Sequence, residues 1–423
     1  MVNGDTHTSQ SAATATSPRW STREQALEIL LKPICPIGTE WVALEDADGR
    51  TLAEDIVAQR DTPPFDASAM DGYALNSDDA GKQLPVALRI AAGDSPAALP
   101  LESCARIFTG APLPDGSDCI VIQEEVTERD GYIIAPSSLT QGEYVRKKGR
   151  ASHQGEVLIP TGTQLNTAAI GIAASEGIAT LLVRKKPKIA LLSTGSELVA
   201  PGNELAPGQI FDSNRYMLSA MLKRFGFDVV WSRQIKDDPI LTEQTLEEAA
   251  QIADVVVTMG GVSIGEEDHV RQAVANKGAI ELWKLNIQPG KPLALGNIRT
   301  PQGEDIKNVP FIGLAGNPVS SYVGAWLFLR PLAGVLLASP ALRELPTAVG
   351  TADFHTTTGP RWHYMRVYYR AAELDLDARV EAFKDQDSSL LGSCLYANAL
   401  AIIPPHQEVN PGDKIQCMLL PTE

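Results

Sequence analysis

Apolar residues change their spacing several times along the chain, and each change predicts a new architecture. Ser21 opens the sequence S-T-R-E, a capping-box pattern, and Ala26, Leu27, Leu30 and Leu31 follow at helical spacing. Residues 41–59 are strand-like and rich in turns, and Thr62, Pro63 and Pro64 interrupt regular structure. Between 86 and 157 the pattern is mostly β. Residues 105–108, Cys119–Ile122 and 132–135 are short apolar or alternating runs between Gly, Pro and Asp turns. A helix is predicted over Thr167–Ser175, with Gly177 as its stop. The β-rich stretch therefore interrupts a helical region, as an inserted domain would.

From 188 onward strands and helices alternate. Strands are predicted at 189–192, 229–235, 254–259 and 311–314. A helix capped by Asn214 presents Met217, Leu218, Met221 and Leu222 on one face, and others begin near 241 and 270. Pro318 opens the last. This alternation predicts an α/β domain with a doubly wound parallel sheet and helices on both faces. The apolar run 322–338 is broken by Arg330 and Pro331, so it reads as a buried helix, not a membrane span. After 341 the helices stop. Residues 362–369, 400–403 and Lys414–Leu419, with a turn at Pro411 and Gly412, predict a small β-barrel or sandwich. The expected division is a disordered tail at 1–17, a discontinuous helical domain at 18–60 and 155–187, an inserted β-rich domain at 61–154, an α/β domain at 188–340 and a β-domain at 345–423.

Composition narrows the function. A length of 423 residues is consistent with two to four domains at roughly 100–200 residues each. The net charge of -16 argues against nucleic acid, whose phosphates need a basic face. The tail lacks the apolar core of a signal peptide. The 5 cysteines show no C-x-x-C pair, which suits reduced thiols and a cytoplasmic location without a membrane. The 6 histidines are scattered, with no H-E-x-x-H, so a dedicated zinc site is not expected.

The chemistry is expected at one sheet edge, because ligands of open parallel sheets bind beyond the carboxyl ends of the strands. The loops there are S-T-G-S-E, ending at Glu197; the pair Asp237 and Asp238; G-G-V-S-I-G-E-E-D from Gly260 to Asp268; and A-G-N-P-V-S-S from Ala315. Gly260, Gly261, Ser263 and Gly265 let backbone N–H groups approach a phosphate. Glu197, Asp237, Asp238 and Asp268 suit a hard cation such as Mg²⁺ bridging to that phosphate. Singly, such residues are more often turn formers and helix caps; their convergence on one edge favours function. No G-x-x-x-x-G-K-[ST] is present, which disfavours a P-loop kinase. His153 and His269 fall in polar loops. The run R-K-K-G at 146–149, and Lys284 with Lys291 around P-G-K-P, offer anion contacts, each a weak signal alone.

The segments FDASAMDGYA, RIFTGAPLP, LLSTGSELV, GQIFDSNRYML, GGVSIGEEDHV, QPGKPLALG and GLAGNPVSS occur in this order. Together they resemble the molybdopterin molybdotransferases, which include the bacterial MoeA proteins and the C-terminal domain of gephyrin. The resemblance runs over nearly the whole chain. It implies a homodimer of four-part subunits, with an α/β domain like that of molybdopterin adenylyltransferase and a C-terminal β-barrel. It implies a Mg²⁺-dependent reaction in which adenylylated molybdopterin and molybdate are substrates and AMP is released. The implied protein partners are the adenylyltransferase and molybdenum cofactor-accepting proteins. Carried onto this sequence, Asp66, Glu197, Asp237, Asp268 and Lys284 would be catalytic. Thr109, Thr194, Gly195, Gly260, Gly261, Ser263, Gly265, Lys291, Asn317, Pro318, Arg366 and Ser388 would bind the pterin nucleotide. Arg366 and Ser388 would reach across the dimer. Asp71, followed by Gly72, reads as structural. Two departures stand out: Arg150 and Ala151 replace an acidic pair usual in the family, and Gln288 stands where some relatives have Lys. The first admits an alternative, a catalytically weakened paralogue that binds or delivers the pterin. A purely structural scaffold is disfavoured by the retained carboxylates.

Overall fold

A computed structural model of the chain describes residues 21–262, 269–303, 305–372 and 377–421. Helix α1 (Arg23–Leu31) is capped by Thr22, whose hydroxyl accepts from Gln25 N while Gln25 returns the bond to Thr22 N. The capping box thus begins one residue later than Ser21; Ser21 bridges to Leu285 instead. Strands β1 (Thr39–Ala43) and β2 (Ile56–Val57) complete the first segment.

The inserted domain follows with β3 (Ala67–Ser68), β4 (Gly72–Leu75), β5 (Gln83–Ile90), β6 (Cys104–Ile107), β7 (Cys119–Ile122), β8 (Tyr132–Ile134) and β9 (Val145–Arg146). Five of these form a sheet in the order β7-β4-β6-β5-β8, and β3 pairs with β9 beside it. The chain then returns through β10 (Val157–Ile159), which pairs with β2, α2 (Thr167–Ser175) and β11 (Thr180–Arg184), which pairs with β1. Asn166 caps α2 by accepting from Ala169 N, and Gly177 ends it at φ +76°.

The α/β domain holds β12 (Lys188–Thr194), β13 (Leu198–Val199), β14 (Ile210–Phe211), α3 (Asn214–Arg224), β15 (Asp228–Ile235), α4 (Pro239–Ile252), β16 (Val255–Met259), α5 (His269–Lys277), β17 (Gly278–Lys284), β18 (Ile287–Gln288), β19 (Pro292–Gln302), β20 (Asp305–Leu314) and α6 (Pro318–Gly324). A π-helical turn over Ala325–Leu329 joins α6 to α7 (Arg330–Leu336). The sheet order is β15-β12-β16-β20-β19-β17. Its first four strands are parallel, whereas β19 and β17 run antiparallel. The four expected strands are thus the parallel part of the sheet, and β19 and β17, which were not expected, extend it as antiparallel strands. Alternation along β12 explains the layers: Ile189 and Leu191 pack with Leu218, Met221 and the α6–α7 helix, while Ala190 and Leu192 pack with Leu246, Ala249, Val270 and Val274. The Pro318–Leu336 helix is apolar enough by composition to cross a bilayer, but 89% of that window is buried inside the protein. Asn214 is the first residue of α3, not its cap, and His269 opens α5 instead of lying in a loop.

Two short helices, α8 (Pro340–Arg343) and α9 (Gly392–Tyr396), persist after 338. The remaining strands are β21 (Thr347–Ala352), β22 (Thr356–Thr357), β23 (Trp362–Arg370), β24 (Arg379–Ala382), β25 (Ala399–Ile403), β26 (Glu408–Val409) and β27 (Lys414–Leu419). The order β23-β24-β21-β27-β25, with β25 pairing back to β23, closes a barrel. β18 adds to its β23 edge, placing Gln288 opposite His363. All 5 cysteines are free, and burial pushes the Cys104, Cys119 and Cys417 thiols up to about 12.

Candidate functional site

Strands β12, β15, β16 and β20 end together, so their four following loops share one edge. Strand β12 ends at Thr194, and Gly195 turns the chain at φ +151°. The Glu197 carboxylate folds back over that glycine: a Cβ there would stand 2.6 Å from its Oε2. Asp237, just past β15, accepts from Ser196 N at 2.9 Å and donates from its own N–H to Ser196 Oγ at 3.3 Å. Glu197 and Asp237 are thus gathered on a single turn. Asp238 does something else. Its Oδ1 accepts from Leu241 N at 2.7 Å, capping α4 ahead of Pro239.

Gly260 and Gly261 have φ of +90° and +64°. A Cβ on Gly260 would meet Thr194 O at 2.8 Å, and one on Gly261 would meet Val270 Cγ2 at 2.5 Å. Both glycines are therefore required by conformation and by space. Thr194 is 8% exposed, and its Oγ1, buried against this turn, has no hydrogen-bond partner among the described residues. Ser263, Gly265 and Asp268 lie outside the described residues.

In the fourth loop, Asn317 precedes Pro318 at the start of α6, and its Nδ2 donates to Ser388 Oγ at 2.8 Å. The N–H of Val319 donates to Ser388 O at 3.1 Å. Asn214 donates from Nδ2 to Gly316 O at 2.6 Å, tying α3 to this loop. The P-G-K-P turn lies against α6, since a Cβ on Gly290 would stand 3.7 Å from Ser320 O. Lys284, at the end of β17, pairs with Pro292, and the N–H of Leu285 donates to Lys291 O at 3.2 Å. Both lysines engage other groups of the protein.

Arg366 is 1% exposed. Its guanidinium donates to Leu390 O at 3.2 Å, Asp387 O at 3.1 Å and Gln386 Oε1 at 3.4 Å. It thus holds the loop carrying Ser388 within its own chain. Sequence reasoning missed one buried group. Asp212 and Ser193 are each 1% exposed; Ser193 Oγ donates to Asp212 Oδ2, and Arg215 Nε donates to the same oxygen at 3.2 Å. This network fixes the strand end that precedes Thr194. The signal was available in G-Q-I-F-D-S-N-R, where an acid sits among apolar and capping residues.

The inserted domain carries a second cluster. Asp66 accepts from Lys147 Nζ and from Lys148 N, both at 2.8 Å. Partial burial raises its pKa, but the Lys147 hydrogen bond, the Lys148 N–H and the Lys147 charge outweigh it and hold the carboxyl below the usual range. Asp71 accepts from both N and Oγ1 of Thr109 at 2.8 Å, so it braces the T-G-A-P loop. The exposed Ala151 donates its N–H to Thr62 O at 2.8 Å. Asp61, which precedes Thr62, accepts from Gln154 N at 3.0 Å and lies 3.5 Å from Lys148 Nζ and 3.7 Å from His153 Nδ1. The Gln154 N–H, against some burial, and then Lys148 lower its pKa. Every partner named for Asp61, Asp66 and Thr109 belongs to the inserted domain. The sheet-edge cluster draws its partners from the α/β domain and the barrel.

Among the described residues no group of three or more His, Cys, Asp or Glu is placed to hold a metal. Glu197 and Asp237 nevertheless suit Mg²⁺, which takes one or two carboxylates and completes its shell with water and phosphate oxygens.

Three family descriptions match in succession: MoeA N-terminal region (domain I and II) over 21–177, probable molybdopterin binding domain over 190–334, and MoeA C-terminal region (domain IV) over 348–420. The molybdopterin molybdenumtransferase of Haemophilus influenzae is 32% identical over 405 residues, 93% of this chain and 97% of that protein. Two crystal structures of the molybdopterin biosynthesis MoeA protein from Pyrococcus horikoshii superpose with TM-scores of 0.76 and 0.78 at 29% and 25% identity. These superpositions cover 96% and 95% of this chain and 100% of each of those chains.

Proposed function

The chain belongs to the MoeA family of molybdopterin molybdenumtransferases, and we propose that it joins molybdate to adenylylated molybdopterin with release of AMP, as a Mg²⁺-dependent homodimer. The observation that carries this reading is the placement of Glu197 and Asp237 on one turn beside the Gly260–Gly261 bend. A bound Mg²⁺ would neutralise phosphate charge at these two carboxylates. The chain's own groups do the rest. The glycine bend gives the phosphates a close approach to the main chain, where the Gly260 N–H is already held by Leu314 O at 3.1 Å, and the Thr194 hydroxyl, without a partner among the described residues, is a ready donor beside it. Lys284 and Lys291 add positive charge, and the Asn317–Ser388 link holds the start of α6 against the barrel. Asp66, kept ionised by Lys147 and Lys148, is offered from the inserted domain. Because its partners stay within that domain, the reading places it over the sheet edge of the second subunit. Catalysis would then be mainly positioning and electrostatics.

Purified protein given adenylylated molybdopterin, molybdate and Mg²⁺ should release AMP. Asp237→Asn should lower the rate at least about a hundredfold, as loss of a transition-state contact does. Asp238→Asn, which changes a helix cap, should leave it within about threefold. No AMP release by the parent at any molybdate concentration overturns the proposal.

The alternative, a pterin-binding protein with weakened turnover, rests on Ala151. Ala151→Asp decides the matter. A rise from near zero to a clear rate supports the weakened paralogue; robust parental activity rejects it.

A further inference from the structure

The inserted domain is joined to the rest of the chain by two stretches of backbone that run side by side. Residues 58–62 lead out to it and residues 152–156 lead back. Ala58 N donates to Glu156 O and Gly155 N to Ala58 O, both at 2.9 Å, and Thr62 N donates to Ser152 O at 2.9 Å. Among the described residues, no hydrogen bond or ion pair ties residues 63–151 to the chain outside this stalk.

One side chain grips the stalk from the far side. Glu176, the residue that ends α2, is 5% exposed. Its Oε2 accepts from Gln59 N at 3.1 Å, and its Oε1 accepts from the Thr62 hydroxyl at 3.3 Å. Among the described residues, no other side chain from beyond the stalk and the inserted domain hydrogen-bonds to the stalk. Helix α2 does not explain this acid. The carboxyl end of a helix favours cations over acids, and a buried carboxyl costs free energy unless its oxygens are hydrogen-bonded. An apolar side chain of similar size would fill the place without either cost. What the carboxyl adds is direction, because its two oxygens fix two points of the outgoing backbone.

From Thr62 the contacts lead to Asp66. Thr62 O accepts from Ala151 N at 2.8 Å and from Ser152 N at 3.3 Å, and Pro63 O accepts from Gly149 N at 2.9 Å. These amides belong to the turn that holds the Asp66 carboxyl through Lys148 N and Lys147 Nζ. The residue that Glu176 fixes is therefore bonded to the turn that fixes Asp66.

We propose that Glu176 is a positioning residue: it sets the direction in which the stalk carries the inserted domain, and with it Asp66, relative to the α/β domain. That this direction matters for turnover rests on the role of Asp66 in the proposed function; the direction itself does not.

The test compares Glu176→Leu with Glu176→Gln in the full chain. The Gln amide can accept from Gln59 N through its oxygen and donate to the Thr62 hydroxyl through its nitrogen, whereas Leu can do neither. Direction is read as a nitroxide–nitroxide distance by pulsed electron resonance. The labels sit at Leu101→Cys in the inserted domain and Ile306→Cys in the α/β domain, both exposed positions. The exposed Cys35 is replaced by Ser, and the other cysteines are buried. Labelled chain is diluted into unlabelled chain, so each distance is read within one chain. The parent and the Gln variant should give one narrow distribution, and the Leu variant a broader or displaced one. In the Leu variant kcat for AMP release should fall about tenfold, as it does when a reacting group is misplaced, with KM within about threefold. The Gln variant should stay within about threefold of the parent in both. Melting midpoints should agree within a few degrees. A Leu variant whose distance distribution matches the parent overturns the proposal. So does an unchanged kcat in that variant when the parent turns over. A melting midpoint that drops in step with activity in both variants also overturns it, because Glu176 would then only support the fold. If the distribution broadens in the Leu variant but the parent never releases AMP, the positioning stands and the functional reading falls.

Discussion

Asp66, half-buried, and Asp238, exposed, are both acids next to a turn, yet their surroundings give them different fates. One oxygen of Asp238 is spent on the Leu241 N–H, and an N-cap of this kind contributes about 1 kcal/mol to helix stability. Asp66 is held by a flexible lysine and one backbone N–H, both of which can be shared with an incoming ligand. Replacing Asp66 by Ala removes an exposed ion pair worth about 0–1 kcal/mol, so the melting midpoint should move by only a few degrees. AMP release should nonetheless fall to background. A variant that melts like the parent and turns over normally would remove Asp66 from the chemistry. Sequence alone could not separate Asp237 from Asp238, because adjacent acids before a proline suit both a cap and a ligand. The distinction comes from which of them meets Ser196, 41 residues away, a tertiary fact.

At the scale of elements, strong local signals were legible and tertiary ones were not. The bounds of α2 followed from Thr167 to Gly177 because Asn166 and Gly177 act locally. Asn214 was read as a cap for the same reason, but its side chain reaches Gly316, 102 residues away. The antiparallel hairpin of β19 and β20 was missed beyond its last residues because Pro292, Gly296 and Pro301 break the strand pattern; the prolines sit at its ends and Gly296 lies under the Ala279 carbonyl, where a Cβ would stand 2.1 Å from that oxygen. The joint between β18 and β23 carries a pH dependence. Burial, then the charges of Arg366 and Arg361, push the His363 pKa down from 6.5 to about 4. Between those values the unfolded chain binds a proton that the folded chain does not. Stability contributed at neutral pH is therefore lost as pH falls from 6.5 toward about 4. Thermal midpoints measured across that window should decline in the parent and decline less in His363→Gln. Parallel profiles would mean that His363 does not titrate as its surroundings require.

At the scale of the whole molecule, the candidate residues fall in two separate clusters. The sheet edge gathers Glu197, Asp237, Thr194, Gly260 and Asn317, and the buried Arg366 holds Ser388 beside them. The inserted domain gathers Asp66 and Thr109, braced by Lys147, Lys148 and Asp71. If a complete site needs one half from each subunit, two different inactive chains should complement each other. Asp66→Ala homodimers and Asp237→Asn homodimers should each release almost no AMP. When the two chains are unfolded together and refolded as a mixture, half of the dimers are mixed. Each mixed dimer contains one intact site, formed by the inserted domain of the Asp237→Asn chain and the sheet edge of the Asp66→Ala chain. AMP release should recover to about a quarter of the parent rate, since half the dimers then carry one of two sites (a random-assortment expectation for a two-fold dimer). A mixture that stays at background would place Asp66 and Asp237 in the same subunit's site.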